Sequence, residues 1–112
     1  EFPGMLHFTP RRFFIVYDVR GKDVRGEHAR KELRQFLVCI KGECSVVVDD
    51  GSIRFEVRLD KPTLGLHIPP KVWATQYKFT SDAALLVFAS DVYKAEDYIR
   101  NYNEYLEYVS KK

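Results

Sequence analysis

Short runs of aromatic and β-branched residues, separated by turn residues, recur along most of the chain. They lie at residues 12–17, 36–40, 46–48, 72–79 and 83–89. Residues of these types favour strands, and runs this short are more typical of strands than of helices. Many short strands at close spacing predict an all-β sandwich or barrel.

The residues after the third run predict a hairpin. Asp49-Asp50-Gly51 follows three consecutive valines, and an Asp-Gly pair favours the tight turn that joins two antiparallel strands. Residues 52–59 then alternate between apolar and polar side chains, which predicts a half-buried strand. On its buried face we expect Ile53, Phe55, Val57 and Leu59.

The pattern changes towards the C-terminus, where large residues recur at steps of four, three and four. This spacing marks one face of an α-helix. The stripe consists of Tyr98, Tyr102, Tyr105 and Val109. Ser90 or Asp91 is expected to cap a first helical turn, with a second helical start near Glu96. The sequence therefore predicts a C-terminal helix that packs its tyrosines against the sheet.

Composition limits the kinds of protein this chain can be. A chain of 112 residues is long enough for one domain, which we expect over residues 5–112. Residues 1–4, which precede Met5, are expected to be a remnant of expression. The net charge of +2 is too small to suggest a nucleic-acid partner. The longest apolar runs, about five residues, are far short of the roughly 20 that span a bilayer, so we expect a cytoplasmic protein with no membrane partner. Cys39 and Cys44 are expected to be buried free thiols, with a metal pair or a disulfide as the alternative.

A known metal-site pattern tests the candidate chemistry. Cupins, which are double-sheet jelly rolls, typically carry His-x-His, then Glu, then Gly, and a further His in a second motif. Here His28 takes the first position, but Arg30, Gln35 and Ala74 take the other ligand positions. A guanidinium repels a cation because it stays charged at any working pH. The pattern thus predicts a cupin scaffold, a double-stranded β-helix with a C-terminal α-helix, and no metal.

The chain from about residue 12 to residue 108 resembles a specific group of metal-free cupins. These are the dTDP-4-keto-6-deoxyhexose 3,4-ketoisomerases, the FdtA-like and QdtA-like proteins with a WxcM-like C-terminal domain. The residues that carry the resemblance are Arg25-Gly26-x-His28-Ala29, Asp49-Asp50-Gly51, Gly65-Leu66-His67-Ile68-Pro69-Pro70, Trp73, Ser90-Asp91 and Asp97-Tyr98-Ile99-Arg100-Asn101-Tyr102.

The resemblance implies a homodimer that needs no cofactor and binds a nucleotide sugar inside the barrel. The family moves a ketone from C4 to C3 of the sugar through an enediol, which requires a group that carries protons and donors that hold an oxyanion. We expect His28 and Arg30 to be the catalytic pair. Residues expected to bind substrate are Tyr17, Arg25, Gln35, His67, Trp73 and Arg100. For His67 and Trp73 simple packing is the alternative, and for Arg25 and Arg100 it is ordinary surface charge. Gln35 is expected to face the interior by period-two counting, where a structural amide is the alternative.

Arg30 departs from the family at the catalytic position. The family typically has His-Ala-His, in which the second His is the expected base, whereas this chain has His28-Ala29-Arg30. Arginine cannot serve as a base near neutral pH, but it can donate to an enediolate or a diphosphate. Three interpretations follow: His28 transfers the proton alone while Arg30 stabilises the oxyanion, or the reaction or substrate has shifted, or the pocket binds a nucleotide sugar or carbohydrate without turnover. A metal-dependent cupin is disfavoured by the missing ligands.

Overall fold

The computed structural model describes residues 8–20 and 22–110, and the expectation for residues 1–4 lies outside this range. Its strands, in chain order, are β1 (Arg12–Tyr17), β2 (Arg25–Arg30), β3 (Gln35–Lys41), β4 (Cys44–Asp49), β5 (Arg54–Leu59), β6 (Gly65–Ile68), β7 (Trp73–Tyr77), β8 (Ala84–Ala89) and β9 (Tyr98–Ile99). A 3₁₀ turn (Ala95–Asp97) precedes β9, and the helix α1 (Tyr102–Ser110) follows it.

Within the described residues, the strands form two antiparallel sheets. The first has the strand order β1-β8-β3-β6, and the second has the order β5-β4-β7-β2-β9. Apart from the β4–β5 hairpin, hydrogen-bonded neighbours are not consecutive in the chain, as expected when successive strands alternate between two facing sheets. The predicted jelly roll with a C-terminal helix is confirmed.

The core lies between the two sheets. Every second residue of a strand faces it, because side chains alternate across a strand. On β3, Leu37 and Cys39 are fully buried and Gln35 is 6% exposed, which confirms that Gln35 faces the interior. From the second sheet, Cys44 and Val46 belong to the same core cluster.

The two cysteines are buried and free, as the sequence predicts. The Sγ atom of Cys39 lies 3.2 Å from the backbone carbonyl oxygen of Lys41. Burial raises the pKa of the Cys44 thiol to about 12, so it stays protonated and unreactive.

The predicted hairpin is confirmed, but its second strand is less buried than expected. Asp49 pairs with Arg54, and the Asp50 side chain accepts hydrogen bonds from two backbone N–H groups in the turn. In β5 and the turn before it, Leu59 is fully buried, whereas Ile53 is 65% exposed and Phe55 is 58% exposed. The alternation is present, yet β5 is the edge strand of its sheet, and only its second half, at Val57 and Leu59, packs into the core.

The C-terminal prediction was wrong in where the helix begins. Tyr98 is not helical: it pairs with Arg30 as part of β9. Ser90 and Asp91 cap no helix, because Ser90 Oγ accepts a hydrogen bond from the backbone of Arg34, and Asp91 accepts one from the next residue. The helical start expected near Glu96 is only the short 3₁₀ turn. A free edge on β2 is available to this segment, and pairing with it outweighs the helical spacing.

The helix starts at Tyr102, and Asn101 caps it by accepting a hydrogen bond from the backbone N–H of Glu104 at 3.0 Å. Tyr105 is fully buried and packs with Ala29 and Trp73 on the outer face of the second sheet. In the described part of the chain, no helix has the length and apolar character that crossing a membrane requires.

Candidate active site

His28 is directed to the interior by the register of β2. It pairs with Ala74 of β7, whose side chain belongs to the core between the sheets, whereas the neighbouring Ala29 belongs to the cluster under α1. Residues paired directly across a sheet share a face, so His28 faces the core side. The ring is half-buried and meets the ring of Tyr98 edge-on, with centroids 4.7 Å apart.

Arg30 lies on the same face of β2, two residues further on, and is only 2% exposed. Its Nε donates a hydrogen bond to the Asp97 carboxylate at 3.0 Å, which forms a buried ion pair. Its guanidinium carbon lies 4.0 Å from the centre of the Tyr98 ring, a cation–π contact. The buried charge is therefore compensated by a carboxylate and by an aromatic face.

Two donor groups of Arg30 are not used by the fold. Nη1 and Nη2 are buried, and neither donates a hydrogen bond to any of the residues that the structure describes. Buried polar groups are nearly always hydrogen-bonded in native proteins, and exceptions call for an explanation. A bound substrate oxygen would satisfy these donors.

Arg100 adds a second guanidinium to the same ring. It follows β9, and its guanidinium carbon lies 4.1 Å from the centre of the Tyr98 ring. Unlike Arg30, it is exposed. The structure therefore places His28, Arg30 and Arg100 around Tyr98 in one site. The roles expected of them stay predictions.

The burial of His28 and the two neighbouring arginines determine its protonation state. Burial and, after it, the positive charges of Arg30 and Arg100 together lower the pKa of the imidazole to about 4. Near neutral pH the ring is consequently neutral and has one nitrogen able to accept a proton.

An open cavity of about 270 Å³ lies along the inner face of the second sheet. Val48 and Phe55 line it, together with Val72 and with Leu66 from the first sheet. Val48 pairs with Ala74, which in turn pairs with His28. Because neighbouring strands are about 4.8 Å apart, the cavity wall at Val48 lies roughly 10 Å from His28 in the same row.

Other residues expected to bind substrate lie elsewhere. Tyr17 is 64% exposed and lies on the opposite face of β1 from the buried Val16. Trp73 lies under α1, where its ring packs against the rings of Tyr102 and Tyr105 at 5.2 and 5.6 Å, as the packing alternative has it.

The remaining expected residues lie at the margins of the site. His67 pairs with Phe36 on the first sheet and lies 6.2 Å from the ring of Phe8, while it also borders the cavity. Arg25 is exposed at the start of β2, opposite Gln76. Gln35 faces the interior from the first sheet.

The sequence reading did not assign Asp97 or Tyr98 to the site. Both fall in the segment interpreted as helical, where their side chains would have had no defined relation to β2. Only the pairing of Tyr98 with Arg30 places them beside the catalytic candidates. A buried Arg in the motif could have suggested a search for an acidic partner, since buried charges are paired.

Three of the four cupin metal-ligand positions are occupied by residues unsuited to a metal, namely Arg30, Gln35 and Ala74. Arg30 is bound to Asp97, and Ala74 lies directly opposite His28. Among residues 8–20 and 22–110, no three His, Cys, Asp or Glu side chains are grouped as a metal site would require.

Comparisons with known proteins agree with the resemblance noted in the sequence. A family model described as FdtA: WxcM-like, C-terminal matches residues 1–110. The chain is 43% identical, over 95% of its length and 76% of the relative's, to a TDP-4-oxo-6-deoxy-α-D-glucose 3,4-oxoisomerase of Aneurinibacillus thermoaerophilus.

Solved structures are similar over most of the chain. A 3,4-ketoisomerase from Helicobacter canadensis superimposes with a TM-score of 0.90 at 38% identity, covering 93% of this chain and 78% of that one. QdtA, a sugar 3,4-ketoisomerase from Thermoanaerobacterium thermosaccharolyticum in complex with TDP, gives a TM-score of 0.90 at 35% identity and covers 93% of this chain and 76% of its own.

Proposed function

Since the chain belongs to the WxcM-like, C-terminal (FdtA) family, we propose that it is a sugar-nucleotide 3,4-ketoisomerase acting on a dTDP-4-keto-6-deoxyhexose. The observation that carries this proposal is the pairing of an inward-facing, neutral His28 with the unused Nη donors of Arg30 in one interior site. The 3,4-ketoisomerase QdtA, which has the same fold, has been solved in complex with TDP and, as a mutant, with TDP-4-keto-6-deoxyglucose.

The reaction is an isomerisation that needs only proton transfers. A base removes the proton on C3, the electron pair forms the C3–C4 double bond, and the former ketone oxygen on C4 becomes an enediolate oxygen. The proton of the C3 hydroxyl then passes to the C4 oxygen, the C3 oxygen becomes the new ketone, and the base delivers to C4 the proton that it took from C3. No electron leaves the sugar, so the balance requires no oxidant or reductant.

His28 supplies the base in this proposal. Its neutral ring can accept the C3 proton near neutral pH and return a proton at C4. The low pKa of about 4 makes the free imidazole a weak base. A diphosphate bound near Arg30 or Arg100 would offset their positive charge and raise the pKa of His28 in the complex.

Arg30 supplies donors instead of a base. Its Nη1–H and Nη2–H groups are suited to an oxygen that gains negative charge in the enediolate, because charge-assisted hydrogen bonds are the stronger class. Arg100, which is exposed at the mouth of the same site, is suited to the diphosphate. The cavity bordered by Val48 and Phe55 offers apolar contacts for the rest of the ligand.

The test is an isomerisation assay with dTDP-4-keto-6-deoxyglucose, followed by NMR. We expect turnover by the native chain, and a loss of about 10²–10⁴-fold in His28→Asn, the usual cost of removing a proton-transfer group. Arg30→His restores His-Ala-His but removes the two Nη donors, so it should lower the rate as well. Glu43→Gln, in an exposed ion pair with Arg58, is the matched control and should not change it.

Two results would contradict the proposal. Native turnover that His28→Asn leaves unchanged would place the base elsewhere. Tight dTDP binding without turnover, in both the native chain and Arg30→His, would identify a nucleotide-sugar binding protein instead.

We further propose that the protein is a homodimer and that it works in the cytoplasm. The dimer proposal is supported by the outer face of the first sheet, where Phe13, Ile15 and Tyr17 are 65%, 44% and 64% exposed. Contiguous apolar surface of this kind marks association sites. The buried free thiols Cys39 and Cys44 suit a reducing compartment.

A further inference from the structure

The carboxylate of Asp97 accepts hydrogen bonds from β2 and from the loop after it. Asp97 ends the 3₁₀ turn before β9 and is 5% exposed. Its Oδ2 accepts hydrogen bonds from Arg30 Nε at 3.0 Å and from the backbone N–H of Leu33 at 3.4 Å, and its Oδ1 accepts one from the backbone N–H of Glu32 at 2.8 Å. One buried group therefore fixes both the end of β2 and the side chain of Arg30.

This bond determines the direction of the remaining Arg30 donors. The guanidinium is planar, so a hydrogen bond at Nε limits the plane in which Nη1 and Nη2 lie. Tyr98 limits it further, since its ring centre is 4.0 Å from the guanidinium carbon. An arginine that served only the fold would use its terminal donors as well, whereas here both are left without a hydrogen-bonding partner among the described residues.

We propose that Asp97 is a positioning residue for the reaction: it acts through Arg30, directs the Nη donors to the enediolate oxygen and balances the guanidinium charge beside His28. This inference rests on the proposed function. Asp97 itself touches no reacting atom in this scheme.

The charges around His28 make the second part of this role measurable. Arg30 faces it from its own strand, Arg100 and Tyr98 face it from β9 and its end, and the residue paired with it on β7 is the uncharged Ala74. Asp97 is the carboxylate bonded to Arg30. Neutralising Asp97 leaves the positive charge of Arg30 unopposed, which makes protonation of His28 less favourable.

The first experiment measures kcat, KM and their pH dependence in Asp97→Asn and Asp97→Glu. Both variants should lower kcat by up to about 10²-fold with a smaller change in KM, because misplaced donors weaken binding of the transition state more than of the ground state. Asp97→Asn should also shift the acidic limb of kcat/KM to lower pH. Asp97→Glu keeps the charge and should leave that limb in place. Glu43→Gln again serves as the control for loss of a carboxylate beside an arginine.

The second experiment needs no turnover. NMR titration of the His28 ring in the free protein should show a higher pKa in Arg30→Met than in the native chain, and a lower one in Asp97→Asn. If Asp97→Asn does not fold because a buried charge is left unpaired, the uncharged double variant Arg30→Met/Asp97→Asn replaces it. The pKa of its His28 should then be lower than in Arg30→Met, because the Asp97 carboxylate no longer favours the imidazolium, and equal pKa values would overturn the electrostatic part.

The two experiments separate the two proposals. Absence of turnover in the native chain together with the expected NMR shifts would reject the ketoisomerase function and keep the coupling of Asp97 and Arg30 to His28. Native turnover with kcat in both Asp97 variants within about twofold of the native value would overturn the positioning role and leave the function intact. A His28 titration identical in Arg30→Met and the native chain would overturn the electrostatic part.

Discussion

At the scale of single residues, Arg30 stands where the family resemblance predicts a histidine, and this difference determines which side chains of the proposed site can carry protons. A second imidazole could share the proton between two bases, whereas a guanidinium holds its own protons and offers only donors. The buried ion pair with Asp97 keeps this charge stable in the interior. In the proposed reaction, proton transfer then depends on His28, whose low pKa of about 4 keeps it neutral near neutral pH.

The depressed pKa of His28 predicts a pH-dependent stability. The unfolded chain takes up a proton near the ordinary pKa of 6.5, but the folded chain does so only near 4. Between these values the unfolded state binds more protons, so the free energy of unfolding falls as the pH is lowered from 6.5 towards 4. We expect His28→Gln, which cannot be protonated there, to lose less stability over this interval than the native chain.

Urea denaturation at a series of pH values between 4 and 7 measures this difference. The native and His28→Gln curves of unfolding free energy against pH should diverge as the pH falls below about 6.5, the ordinary histidine pKa. Parallel curves would mean that His28 titrates normally in the folded protein and is not buried beside two arginines.

At the scale of secondary-structure elements, local patterns in the sequence predicted the strands well. Runs such as residues 12–17 form strands because aromatic and β-branched side chains favour the extended backbone of a sheet. The segment around Tyr98 could not be predicted this way. Its helical spacing is real, but its structure depends on pairing with Ala29 and Arg30, which lie about 70 positions earlier in the chain.

For the candidate site, too, neighbours on one strand could be predicted and contacts between distant segments could not. His28 and Arg30 could be placed together because they lie two apart on one strand. Their relation to Asp97, Tyr98 and Arg100 requires the β2–β9 pairing, so it could not be derived from spacing. The position of Trp73 could not be predicted either. It lies close in sequence to His67 and the proline turn, but that closeness does not determine which face of β7 its side chain occupies.

The helix α1 is held to the second sheet by Tyr105, which predicts a stability effect. The hydroxyl of this residue lies 2.9 Å from the carbonyl oxygen of Asp49 and 2.8 Å from that of Lys71. Tyr105→Phe keeps the ring packing but leaves these carbonyls without that donor. We expect a loss of about 1–3 kcal/mol in unfolding free energy, the cost of unsatisfied buried polar groups.

Tyr108→Phe on the same helix is the matched control, because the Tyr108 hydroxyl makes no hydrogen bond within the described residues. Thermal and urea unfolding should distinguish the two variants. Equal stabilities would show that packing alone docks the helix.

At the scale of the whole molecule, the two sheets differ in how their outer faces are covered. The second sheet has α1 over Ala29 and Trp73. On the first sheet, the residues that alternate with the core-facing ones on β1 remain exposed. The catalytic candidates lie between the sheets, so association through the outer face of the first sheet would leave the site open.

We predict that the native chain has twice its 13.1 kDa mass in solution at micromolar concentration and that Ile15→Lys reduces it to one. Ile15 lies in the middle of β1, opposite Leu86, and a lysine there would place a charge within the buried contact. Val24→Lys is the matched control, since Val24 is an exposed apolar residue (42%) outside β1. Light scattering that finds a monomeric native chain would reject the dimer. A dimer that persists in Ile15→Lys would place its interface on another surface, of which the exposed Ile53 and Phe55 near the edge strand β5 are the first to test.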